Sequence, residues 1–169
     1  MNSANEDFEQ LKKTLSDWAQ SFASQHPSLL GIIHYGSTTK SPLKYDTDID
    51  LFFIYEQLPK NRFERNKFAD LIEDSLNPLL TTGLSNRKLH TSTFLRSKDE
   101  ITSLLPIYLD MIEHSFILLD RQNICSNLLT KVKNWMQRHG SYKVNQGQLW
   151  YWVLDSKAPP GQPVDLKLE

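Results

Sequence analysis

Two apolar runs joined by a short polar stretch constrain this chain more than any other feature. Residues 31–55 read GIIHYGSTTKSPLKYDTDIDLFFIY. The first run ends at Gly36-Ser37, and the second carries Asp48 and Asp50 with Ile49 between them and Leu51 after. Alternate side chains of a strand share a face, so Asp48 and Asp50 point the same way while Ile49 and Leu51 bury on the other. Two residues of strand advance roughly 6.6 Å, close enough for both carboxylates to reach one or two divalent ions. Gly36 lets the backbone turn sharply toward a ligand, and Ser37-Thr38 opens a short helical turn whose N–H groups suit an anion. The stretch reads as a phosphoryl-transfer site.

The rest of the chain reads as its support. Residues 6–25 form an amphipathic helix, with Phe8, Leu11, Leu15, Trp18, Ala19 and Phe22 at helical spacing and a stop at His26-Pro27. Residues 29–35 form a strand buried on both faces, and residues 48–55 a second, antiparallel to it. A helix over 62–76 ends at Asn77-Pro78, and a strand covers 88–95. Residues 98–113 read as helix, interrupted or restarted at Pro106. A strand over 115–120 leads into a helix over 121–139, closed by His139-Gly140. Residues 148–154, QLWYWVL, make a final strand or an aromatic clasp. The fold class is therefore α/β (α+β): a mixed, partly antiparallel sheet with helices mainly on one face. Residues 1–157 form one domain, and residues 158–169, rich in Pro and Gly, a mobile or surface-hugging tail.

With 169 residues and a formal net charge of −1, bulk attraction to duplex nucleic acid is not the main task of the chain. One cysteine, Cys125, rules out an internal disulfide and fits the cytoplasm; no apolar run is long enough to span a membrane.

Magnesium takes hard oxygen ligands, commonly one or two carboxylates completed by substrate phosphates. Two such ions about 3.5–4 Å apart clamp the attacking and leaving oxygens of an in-line displacement. Gly36-Ser37, ten residues, then Asp48-Ile49-Asp50-Leu51 resembles the signature of the DNA polymerase beta-like nucleotidyltransferase superfamily, and most of all its minimal nucleotidyltransferases. The resemblance covers residues 29–95; residues 104–120 and the Trp150-Tyr151-Trp152 stretch are similar to parts of some members more loosely. It implies a polymerase beta-like nucleotidyltransferase fold. It implies that Gly36 and Ser37 bind the nucleotide phosphates and that Asp48 and Asp50 are catalytic and hold two Mg2+ ions. The implied reaction moves a nucleoside monophosphate, AMP from ATP above all, to a hydroxyl on a protein or RNA partner. Small members of the family pair with a HEPN-type toxin and act as its antitoxin, which makes a toxin the implied protein partner.

Many members carry a third acid on a later strand. The matching strand here holds His90, Ser92 and Thr93 instead. His90 is then the candidate general base, and Asp110, Glu113 and Asp120 are acids that later elements bring toward the site. Two alternatives stand beside the enzyme: a nucleotide- or partner-binding module with impaired catalysis, and a transferase acting on a small molecule such as an aminoglycoside. Lys40 and Lys44 steer a triphosphate or lie on a solvated loop. His34 reads as a hydrogen-bonded core histidine, Cys125 as inert packing, and the three C-terminal aromatics as core or interface rather than a platform for a base.

Overall fold

The computed structural model describes residues 3–40, 42–84, 86–147, 149–159 and 161–169. Ser41 and Ser85, expected in loops, Gln148, expected to open the last strand, and Pro160 of the tail lie outside the described residues.

The first helix, α1 (Ser3–Gln25), leads into β1 (Leu29–Tyr35), a 3-10 turn (Ser37–Thr39) and β2 (Asp46–Tyr55). Then come α2 (Arg62–Gly83), β3 (Lys88–Ser97), α3 (Pro106–Glu113), β4 (Ser115–Asp120) and α4 (Ile124–His139). A hairpin of β5 (Tyr142–Gln146) and β6 (Leu149–Val153) follows. The main sheet has the order β3-β2-β1-β4. β1 runs antiparallel to both β2 and β4, and β2 runs parallel to β3 across the α2 crossover. The fold is thus mixed α/β with a partly antiparallel sheet. No helix of the described residues is long and apolar enough to cross a membrane.

Helices cover both faces of the sheet, not mainly one. The reason lies in the two central strands, which are apolar on both sides. Ile49, Leu51, Phe53 and Tyr55 pack under α1 and α2 with Leu11, Leu15, Trp18, Ile72 and Leu76. Phe52 and Ile54 pack on the opposite side, under α3 and α4, with Tyr108, Leu109, Leu128 and Trp135. Gly31 lets α4 close on β1, since a Cβ there would overlap Cys125 Sγ. Cys125 is fully buried, as inert packing requires. At the end of α1, Arg121 donates to the carbonyls of Ala23, His26, Pro27 and Leu29 at 2.8–3.2 Å, placing a cation at the negative end of the helix.

Several boundaries differ from the sequence reading. Helix α2 runs through Pro78 to Gly83 instead of stopping at Asn77. The buried stripe Ile72, Leu76, Leu80 continues across the proline, so burial outweighs the missing N–H. Residues 98–100 form only a 3-10 turn, closed by a capping box between Ser97 and Glu100, and true helix restarts at Pro106. Positive φ at Gln122 and Asn123 delays α4 until Ile124, and Gly140 closes it as expected. β5 went unforeseen: YKVNQ is polar at three of its positions and offers little apolar alternation.

Residues 161–169 return to the second core. Leu168 is buried there, Leu104 N–H donates to Leu166 O at 2.6 Å, and Trp135 Nε1–H donates to Asp165 O at 3.1 Å.

Candidate active site

The site forms where β1 ends beside the middle of β2. Tyr35 lies opposite Asp50 in the antiparallel register, so Gly36 leaves the sheet next to that carboxylate. Gly36 has φ 82° and ψ −159°, a conformation that L side chains rarely adopt. A Cβ at Gly36 would also overlap Asp50 Oδ2. Both facts fix glycine at this position: its bare backbone makes the room that Asp50 occupies. The 3-10 turn that follows is pinned from below. Thr39 Oγ1 donates to Gly36 O at 2.7 Å, and His34 Nε2 is 2.8 Å from Thr38 Oγ1. Ser37 Oγ, on the open side, is 3.5 Å from Thr47 Oγ1 across the loop.

His34 is therefore the hydrogen-bonded core histidine that the sequence suggests. Burial pushes its pKa down to about 4, so the ring is neutral near pH 7.

Asp48 and Asp50 share a face of β2, and β3 completes that face: His90 pairs with Asp48 and Ser92 with Asp50 in the parallel register. Asp48 is exposed and Asp50 half-buried. Burial holds the Asp50 carboxyl above its ordinary range, the Ser92 hydroxyl acts the other way, and the negative charge of Asp48 adds to the rise. A carboxyl raised by burial and by a like charge marks a site with a deficit of positive charge. Ser92 thus occupies the position on β3 that pairs with Asp50, on the strand where the family resemblance calls for an acid. His90 is exposed at the rim, and it forms a 3.8 Å pair with Asp46.

Asp50 opens into a cavity of about 530 Å³ that Gly36, Ser37 and Lys40 also line. Helix α3 forms its far wall through Asp110 and Glu113, and the hairpin adds Lys143 and Trp150. Of the three later acids, two therefore reach the cavity. Both are engaged: Asp110 Oδ1 accepts from Trp152 Nε1–H at 3.1 Å, and Glu113 pairs with Lys143 at 2.6 Å. Asp120 does not reach it. It lies opposite Gly31, away from the Tyr35 end of β1, and caps α4 by accepting from the N–H groups of Cys125 and Ser126. Tyr35 lies between the two acidic walls; burial and the charges of Asp50 and Asp110 push its phenol well above its usual pKa.

Among the described residues no three His, Cys, Asp or Glu side chains gather as a metal-holding group. The donor set is two carboxylates on one face with open space beside them. That fits magnesium arriving with a triphosphate that supplies the remaining oxygens, not a metal caged by protein alone. The hairpin residues Lys143 and Trp150 are the part of the cavity that sequence reading missed, since nothing local announces that residues 142–153 fold back on α3. Lys40 lines the cavity, whereas Lys44 does not.

No family model and no curated protein matches the chain. Among solved structures it is similar to a crystal structure from Shewanella oneidensis, at 13% identity over 73% of this chain and 85% of that one, with a TM-score of 0.45. It is also similar to a toxin–antitoxin crystal structure with AMP-PNP, at 15% identity over 78% and 87% of the two chains, with a TM-score of 0.43. A third likeness is to a tri-AMPylated Shewanella oneidensis HEPN toxin in complex with MNT antitoxin, at 15% identity, 80% and 87% coverage and a TM-score of 0.36.

Proposed function

We propose, on the chain's own residues, that this protein is a magnesium-dependent nucleotidyltransferase of the minimal type. The reaction joins an acceptor hydroxyl oxygen to the α-phosphorus of ATP and breaks the bond from that phosphorus to the bridging oxygen of the β-phosphate. Pyrophosphate leaves with that bonding pair, and the hydroxyl proton passes to a base. Asp48 and Asp50 hold the metal, and Gly36 and Ser37 hold the phosphates by backbone N–H and hydroxyl. Bound magnesium neutralises charge as it develops on the phosphate oxygens. His90, beside Asp48 at the rim, is the residue of this chain in position to take the proton.

The observation that carries this reading is the fit of Gly36 to Asp50. A backbone conformation unfavourable to other residues is kept where a side chain would displace the carboxylate. A solvated strand end has no need of that arrangement. The acceptor is a macromolecule, because the chain after β3 supplies no second domain to enclose a small one. A protein partner fits best, and a HEPN-type toxin, for which this chain would be the antitoxin, is the candidate that the family resemblance offers. RNA is the other acceptor class.

Incubation with ATP labelled at the α-phosphate, Mg2+ and a candidate partner tests the proposal. Label should move to the partner with wild type and stop with Asp48→Asn and Asp50→Asn. Transfer by the double variant at the wild-type rate would contradict the assignment. A second reading, nucleotide binding without turnover, rests on Ser92 standing where an acid is expected. Magnesium-dependent ATP binding with no label transferred to any partner would favour it.

A further inference from the structure

The hairpin brings to the cavity an aromatic ring that the proposed chemistry does not use. Lys143 pairs with Trp152 and Asn145 with Trp150, which sets Lys143, Trp150 and Trp152 on one face of the ribbon. That face is fastened to α3 at two points three residues apart. Trp152 Nε1–H donates to Asp110, and the Lys143 ammonium pairs with Glu113. Beyond this fastening the two tryptophans part ways. Trp152 packs against the second core. Trp150 remains 50% exposed, carries the Lys143 ammonium 4.2 Å from its ring centroid, and lines the cavity that Asp50, Gly36 and Ser37 open into.

A tryptophan fixed by an immobilised cation, with half its surface in water at a cavity wall, offers a flat apolar face ready to stack. The cavity volume, about 530 Å³, lies within the roughly 300–1,000 Å³ usual for small-molecule sites. A nucleotide whose phosphates lie at Ser37 and Asp50 has to extend its base away from β2, and the hairpin is the wall that meets the cavity from the far side.

We propose that Trp150 is the base-stacking platform of the nucleotide site, with Lys143 and Glu113 holding it in place. The ligand class is a nucleoside triphosphate, a purine in preference to a pyrimidine because of its larger stacking surface. The inference rests on the reading of Gly36–Asp50 as the phosphate and metal end of the same site. It divides the C-terminal aromatics by role, where the sequence treats all three as core or interface.

Calorimetric titration separates the two claims. ATP and inorganic tripolyphosphate, each with Mg2+, are titrated into wild type, Trp150→Ala, Trp150→Phe and Asp50→Asn. Loss of base stacking should weaken ATP binding to Trp150→Ala by roughly tenfold or more, with Trp150→Phe retaining most of the affinity. Tripolyphosphate, which has no base, should bind Trp150→Ala within about twofold of wild type, while Asp50→Asn should weaken both ligands. Unchanged ATP affinity in Trp150→Ala and Trp150→Phe, or equal losses of ATP and tripolyphosphate, would overturn the platform while leaving the phosphate site standing. Wild type that binds neither ligand would overturn the phosphate site and the platform together.

Discussion

Gly36 does two jobs that no other residue can do together. Its φ of 82° carries a strain of about 1–3 kcal/mol for a residue with a Cβ. The Cβ would in addition meet the Asp50 carboxylate. Gly147 makes a useful control, with φ 64° and nothing within 4 Å of the point where a Cβ would stand. Gly147→Ala should therefore cost about 1 kcal/mol in chemical denaturation, from backbone strain alone. Gly36→Ala should cost more and should also weaken ATP binding. Adding Asp50→Ala should recover part of the stability lost in Gly36→Ala. Equal losses in the two single variants would mean that the carboxylate does not crowd that position. His34 gives a second test at this scale. Its ring titrates near 6.5 when unfolded and at about 4 when folded, so between those values the unfolded chain binds the extra proton. Stability from this group is complete above pH 6.5 and declines as pH falls toward 4, by on the order of 3 kcal/mol in all. Replacing His34 with Gln, which keeps a polar group near Thr38, should flatten that part of the pH profile of unfolding free energy.

At the scale of elements, α2 and α1 each carry an identifiable weak or strong point. Pro78 sits inside α2 without an N–H to donate. Pro78→Ala should raise stability by about 1–3 kcal/mol in urea denaturation, against the usual direction for a substitution. Arg121 serves four carbonyls at the end of α1 and in the turn after it, so Arg121→Ala should destabilise by about 2–3 kcal/mol. These two elements also mark where sequence reading succeeds and fails. The stop of α1 is legible because Pro27 disfavours helix just before it. The end of α2 is not, because the same local signal at Pro78 is overridden by Leu80 reaching the core. Period and capping report local preference; burial is decided by parts of the chain far away in sequence.

For the molecule as a whole, the strand pair β1–β2 was readable from its two apolar runs, together with the shared face of Asp48 and Asp50. The double-sided covering of the sheet was harder to read, because it depends on which residues of β1 and β2 face α3 and α4. The cavity is a product of tertiary folding. One wall is the motif itself; the others come from α3 and from a hairpin about a hundred residues later in the chain. Ser92 joins the site only through the parallel register of β3 with β2, which a sequence lacking an acid there cannot advertise.

The central claim is that Asp48 and Asp50 act together as a metal-dependent nucleotide site, and ATP binding measured with and without Mg2+ tests it most directly. Wild type should bind ATP with an affinity that rises on adding Mg2+, and the Asp48→Asn, Asp50→Asn double variant should lose that dependence while keeping its fold by circular dichroism. Equal affinity with and without Mg2+ in wild type, or a magnesium response preserved in the double variant, would contradict it.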